Sequence, residues 1–218
     1  ASHFTATSTT ATSTFANHIS IGSGKSYRID GVPVMQIVQT SGTDNFSVGP
    51  YAGVANTSGI HNTFVGSYAG NMNTNGPHGT FVGNHAGYSN AGGDNSVFVG
   101  DDAGYFNTEG DHNTFLGQGA GYTNTLGSSN VFVGHGAGSG NNTASGNVGV
   151  GRGVLSLNDS GIYNTALGYQ SLYSNVYGGN NVAAGNQALY TNNDGSENIA
   201  LGKTALYSNV SGNYNIAQ

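Results

Sequence analysis

Glycine returns every 17 residues through four fifths of this chain, at Gly49, Gly66, Gly83, Gly100, Gly117, Gly134, Gly151, Gly168, Gly185 and Gly202, with no insertion or deletion. Helical repeats need about 30 residues or more, and leucine-rich repeats about 20 to 29 with a leucine pattern absent here, so a unit this short has to be a β-coil. Counting from each glycine, an asparagine stands at +7 in all ten units: Asn56, Asn73, Asn90, Asn107, Asn124, Asn141, Asn158, Asn175, Asn192 and Asn209. A second glycine stands at +10 in every unit except one, where it is Ala144. The fold expected is all-β, a β-solenoid (β-roll or β-helix) of ten 17-residue coils over residues 44–218. Each coil reads as a strand such as Asn62-Thr63-Phe64-Val65, a glycine turn, a second short strand such as Ser67-Tyr68-Ala69, and an Asn-x-x-Gly corner. The invariant asparagine tolerates the left-handed backbone of a corner and can bond its own copies in a ladder along the axis.

Residues 1–43 lie outside the register. They divide into a Ser/Thr-rich lead and a stretch of strand character, Ser26–Ile29 and Val32–Val38 around an Asp30-Gly31 turn signal, and are expected to form a connector or cap. The lead has neither a basic region nor an apolar one, so any secretion signal is absent or already removed. The stop at Gln218, four residues into an eleventh coil, is expected to mark a cut or a further domain.

Period-two alternation assigns faces to the strand. The residues just before each glycine and two earlier, such as Val65 and Thr63, are expected to point into a thin core. The residue between them, Phe64, Phe81, Phe98, Phe115 and Phe132 in coils two to six, would then point outward. Five stacked phenylalanines facing water need a partner. At +4, coils one to six carry glycine, from Gly53 to Gly138, and coils seven to ten carry Leu155, Leu172, Leu189 and Leu206, while the phenylalanine position changes to Gly149, Ala166, Ala183 and Ala200. Volume conserved between two positions means that they touch, within a coil or across subunits. The expectation is a homotrimer whose interface uses those phenylalanines and leucines.

Composition narrows the class. Only 6% of the 218 residues are charged, 38 are glycine, and 13 tyrosines and nine phenylalanines argue against disorder. Four basic residues against ten acids exclude a phosphate-binding stripe, hence nucleic acid, and no apolar run is long enough to insert in a membrane. No cysteine is present, so there is no disulfide framework.

The run Asn164-Thr165-Ala166-Leu167-Gly168-Tyr169-Gln170-Ser171-Leu172, with Asn175 and Gly178, resembles the repeats of phage tail fibres and bacterial surface proteins, many of which end in an endosialidase-type intramolecular chaperone. More loosely, it is similar to the heads of trimeric autotransporter adhesins, whose period is shorter. The resemblance covers residues 44–218. It implies a trimeric β-roll or interwoven β-helix acting in attachment, extracellular, at a cell surface or on a virion, with a glycan or protein receptor as partner. No chaperone domain is present in the sequence.

Three columns and one acidic cluster are candidates for chemistry. Tyrosine recurs at +5 as Tyr88, Tyr105, Tyr122, Tyr173, Tyr190 and Tyr207, a spacing at which rings stack on one another or on sugars. His61, His78 and His112 share +12, where coils also carry asparagine, serine, glycine, tyrosine and glutamate, so the column reads as a surface turn and not as a metal site. Asp101-Asp102 with Asp94, Glu109 and Asp111 is the densest acidic spot, but its spacing is no known calcium loop, and no metal or cofactor is expected. No nucleophile, base and orienter share sensible positions, so the chain is read as non-catalytic. Two alternatives are an ice-binding solenoid, for which Thr57, Thr74, Thr108 and Thr125 align at +8 before the column fails, and a fibre-borne glycan-degrading enzyme, for which acids are scarce.

Overall fold

A computed structural model describes residues 25–29, 32–38 and 44–218; the Ser/Thr-rich lead and the Asp30-Gly31 turn lie outside them. All described strands join in one 13-stranded sheet in chain order. Strands β1 (Lys25–Ile29) and β2 (Val32–Val38) pair antiparallel, and β2 pairs antiparallel with β3 (Asn45–Val48). From β3 onward every pairing is parallel and offset by 17 residues. The ladder runs through β4 (Thr63–Val65), β5 (Thr80–Val82), β6 (Val97–Val99), β7 (Thr114–Leu116), β8 (Val131–Val133), β9 (Val148–Val150), β10 (Thr165–Leu167), β11 (Val182–Ala184), β12 (Ile199–Leu201) and β13 (Ile216–Ala217). The result is a parallel β-solenoid of 17-residue coils, with no helix among the described residues.

The anchor glycine ends each strand. At Gly100 the backbone has φ 139°, and a Cβ there would lie 2.6 Å from the carbonyl carbon of Gly117 in the next coil, so no side chain fits where coils stack.

The limb after the glycine is not the second strand that the sequence led us to expect. Its φ angles alternate in sign, with Tyr68 at +57° and Gly70 at +56°, so it forms consecutive turns. Its amides still bond between coils, Tyr68 N–H to Pro50 O at 2.8 Å and Gly70 N–H to Ala86 O at 2.9 Å, in opposite axial directions. Residue type conceals this backbone, since the +2 position carries tyrosine, histidine, aspartate, glutamine and threonine, all left-handed.

The expected strand faces are inverted. Phe64, Phe81, Phe98, Phe115 and Phe132 are fully buried inside the single chain, as are Leu155, Leu172 and Leu189, with Leu206 partly buried against them. These side chains form the solenoid's own core and are not available to a partner, which corrects their assignment to an oligomer interface. The reason is the glycine at +4: a Cβ on Gly121 would fall against the Phe115 ring, 2.7 Å from Cζ, so each ring occupies space that its own coil's glycine leaves open. Where +4 becomes leucine, the strand position shrinks to alanine and the leucine takes that space. The exchange of volume is therefore a contact within the coil. Coil seven is the seam. A Cβ on Gly149 would meet Val154 Cγ1 at 3.0 Å, Phe132 Cδ1 at 3.1 Å and Leu155 Cδ1 at 3.3 Å, so even a methyl group there would crowd the last phenylalanine and the first leucine, which would have to give by a few tenths of an ångström.

The residues assigned to the core instead form the outer face of the sheet. Val99, Val150, Leu167, Val182, Ile199 and Leu201 are all exposed, and the rest of these two columns are mostly β-branched and half-buried.

Candidate functional site

Two asparagine columns hold the corner on which every outer feature is mounted. In the +7 column each Nδ2 donates to the Oδ1 of the preceding rung at 2.7–3.3 Å, continuously from Asn56 to Asn209. The same Nδ2 donates to the +10 carbonyl of its own coil, as Asn124 does to Gly127 at 2.8 Å. A second buried column went unread in the sequence: Asn45, Asn62, Asn113, Asn130, Asn147, Asn164, Asn181, Asn198 and Asn215, interrupted by Gly79 and Ser96. Its amides also donate to the +10 carbonyls, as Asn62 does to Gly76 at 2.9 Å. Its oxygens accept the backbone N–H of the residue one coil on, as Asn113 Oδ1 does from Asn130 N–H at 2.9 Å. The available signal was the asparagine four residues before most anchor glycines. These columns are scaffold, since their polar atoms are spent on one another and on the backbone.

The tyrosine register forms two stacks. Tyr88, Tyr105 and Tyr122 stand 4.9 Å and 5.4 Å apart, and Tyr173, Tyr190 and Tyr207 stand 5.2 Å and 5.0 Å apart with nearly parallel rings. Partial desolvation in the stack, then the neighbouring phenols, raises the pKa of the two central members, Tyr105 and Tyr190; for Tyr105, Asp102 adds to the effect. Both phenols are therefore neutral donors at any physiological pH. Apart from Tyr207, which is exposed, the stacked rings are half-buried, so mutual stacking and an accessible edge coexist.

No protein-family model, curated protein or solved structure matches the chain. The site therefore rests on geometry.

The +12 histidines occupy left-handed turn positions, His61 at φ +56°, His78 at +56° and His112 at +57°, with His61 and His78 stacked at 5.3 Å. Two groups bring three possible metal ligands within 4.8 Å of one another: His85 with Asp101 and Asp102, and Asp94 with Asp111 and His112. In the first, Asn84 Nδ2 already donates to Asp101 at 2.9 Å and the His85 ring sits 3.3 Å from Asp102. In the second, Asp111 accepts the Asp94 N–H at 3.0 Å. Glu109 belongs to neither group. The +8 threonines spend their hydroxyls on the adjacent coil, as Thr57 does on Thr74 O at 2.9 Å and Thr108 on Thr125 O at 3.0 Å, so that column presents no free hydroxyl row.

Between the tyrosine stacks the +5 position is Ser139 and then Ser156, and in the same coils the +2 position is Gly136 and Gly153. Two missing side chains in each of two adjacent columns open a cavity of about 260 Å³. One wall is the +1 column, His135, Arg152 and Tyr169; Tyr173 closes one end. Ser156 donates its hydroxyl to Gly136 O at 3.0 Å, tying the floor together.

Proposed function

We propose that this chain is a non-catalytic shaft of an extracellular attachment fibre, on a virion or a cell surface, that works as a homotrimer and presents its tyrosine stacks to a glycan or protein receptor. The observation that carries the reading is the pair of rigid, partly accessible tyrosine stacks held at the coil spacing by the buried asparagine columns. Amphipathic rings fixed at close to 5 Å intervals suit repetitive, weakly polar ligands such as polysaccharide, because little side-chain entropy remains to be lost on binding. Trimerisation is assigned to the outer sheet face in place of the phenylalanines. That face is ten coils long, about 48 Å at ordinary strand spacing, and two side chains wide. An apolar strip of this size, roughly 500 Å², is at the upper end of what monomers leave uncovered.

Binding of the chain to intact cells and to immobilised polysaccharides tests the attachment role, and Tyr105→Ala with Tyr190→Ala is expected to remove it without unfolding the shaft. Sedimentation should give three copies, and Val150→Asp with Leu167→Asp should give one; a wild-type monomer at micromolar concentration would sink the trimer.

A second reading has its own support. The sheet face carries Thr63, Thr80, Thr114 and Thr165 among valines on an in-register parallel ladder, a regular array of small β-branched groups suited to ordering water as ice. A thermal-hysteresis assay separates it from the shaft, and release of sugars from bound polysaccharide would indicate the glycan-degrading alternative.

A further inference from the structure

The gap between the tyrosine stacks carries an inference that rests on the attachment reading and deepens it. Tyr173 stacks on Tyr190 with an interplanar angle of 8°, so its opposite ring face looks along the axis toward coil seven, where the register carries Ser156 and no ring. That face is bare at the end of a cavity of about 260 Å³, large enough for a pyranose ring with its substituents. The floor is open at Gly136, where a Cβ would have no atom within 4 Å; at Gly153 a Cβ would be in ordinary contact with Gln170 Cγ at 3.4 Å and Ser156 Oγ at 3.6 Å, with Tyr173 Cδ2 at 4.0 Å.

Charge supplies the second half. The chain carries a formal charge of −6, and Arg152 and Lys203 are the only lysine or arginine residues between residues 44 and 218. Arg152 stands in the cavity wall. Among the described residues no carboxylate lies within ion-pair distance of it, the side-chain ion pairs being His85 with Asp102 and His112 with Asp94. A guanidinium left without an acid beside a bare aromatic face matches one kind of ligand unit: a ring with an apolar face and a carboxylate at its rim. His135 and Tyr169 flank Arg152 on the same wall and offer further hydrogen bonds to hydroxyls.

We propose that this cavity binds a carboxylated sugar unit of an acidic polysaccharide, its ring on Tyr173 and its carboxylate at Arg152. Placing the one cationic notch between two neutral aromatic stacks would fix the register of an acidic chain that the stacks alone would let slide.

Calorimetric titration of the full chain with a galacturonate trisaccharide and with its methyl ester tests this. The ester keeps the ring and removes the charge. The acid should bind at least about tenfold more tightly than the ester to the wild type, with an affinity that falls as salt is added. Arg152→Gln, at an exposed position, should weaken the acid by that factor and bind acid and ester alike. Ser139→Tyr, which places a ring where coils three to five already carry one, should block both ligands while leaving the thermal midpoint within a few degrees of wild type. Equal binding of acid and ester by the wild type, an Arg152→Gln variant that keeps the preference, or no binding of the acid overturns the assignment. Retention of the chain on cells through Tyr105 and Tyr190 is measured separately, so that the attachment reading can stand when the notch fails, and fall when the notch holds.

Discussion

Asn124 uses both amide hydrogens and its oxygen without contact with water: Nδ2 donates to Asn107 Oδ1 at 2.7 Å and to Gly127 O at 2.8 Å, and Oδ1 accepts from Asn141 at 2.7 Å. Each such bond contributes only about 1 kcal/mol net, but an unsatisfied or charged group left there costs several times more. Asn124→Asp changes almost no volume and turns the donor into an acceptor that faces two other acceptors. The buried carboxyl is then pushed above its ordinary pKa, so the variant's stability is greatest below the unfolded carboxylate value near 4 and falls as pH rises. Urea denaturation should show a deficit of at least about 3 kcal/mol at neutral pH that narrows in acid; a deficit independent of pH would mean that the site is wet. The +7 column was legible in the sequence because a side chain that bonds its own copy one coil away must be the same residue in every coil. The second asparagine column was harder to read for the opposite reason. In the early coils its partners are mainly backbone groups, which tolerate Gly79 and Ser96 as interruptions, and its amides donate to their own copies only further on, as Asn181 does to Asn164 at 3.0 Å.

The element of this fold is the coil, and its interior holds a nearly constant volume divided between the strand position and the +4 position. The contact between them was legible from the exchange of large and small residues. The direction of the strand was not, because a three-residue strand fixes which residues share a face without saying which face is inside. The deciding signal was the exchange itself: a position whose size is traded against a neighbouring glycine is confined on all sides, and exposed positions are under no such constraint. In coil five, Phe115→Ala should cost about 3 to 5 kcal/mol. Gly121→Leu should cost more than simple overpacking, because it adds a left-handed side chain, at φ +60°, to a collision with the ring. Together the two changes reproduce the pairing of Ala166 with Leu172, a leucine that already sits at φ +49°. The double variant should recover most of the loss, with a coupling well above 0.5 kcal/mol, the limit for independent sites. Additive thermal or urea data would show that the two positions do not share space.

At the scale of the whole molecule, contacts run only between neighbouring coils, so stability is a sum over coils and interfaces. Removing residues 101–117 deletes one phenylalanine coil in register, and the protein should fold with a modestly lower midpoint. Removing residues 135–151, the same length, puts Phe132 and Leu155 into one coil, and that variant should lose several times more stability or fail to fold. Equal midpoints for the two deletions would show that the seam at Gly149 is not a packing constraint. The parallel ladder has one further consequence, for force. Because the bonds of the sheet and of both asparagine columns point along the shaft, a pull on its two ends loads the interfaces in series and each bears the whole tension. Such a rod is stiff until its weakest joint yields, and then lengthens one 17-residue turn at a time, by roughly 50 Å per turn at the reach of an extended chain. Under tension it behaves as a shock absorber with a fixed step.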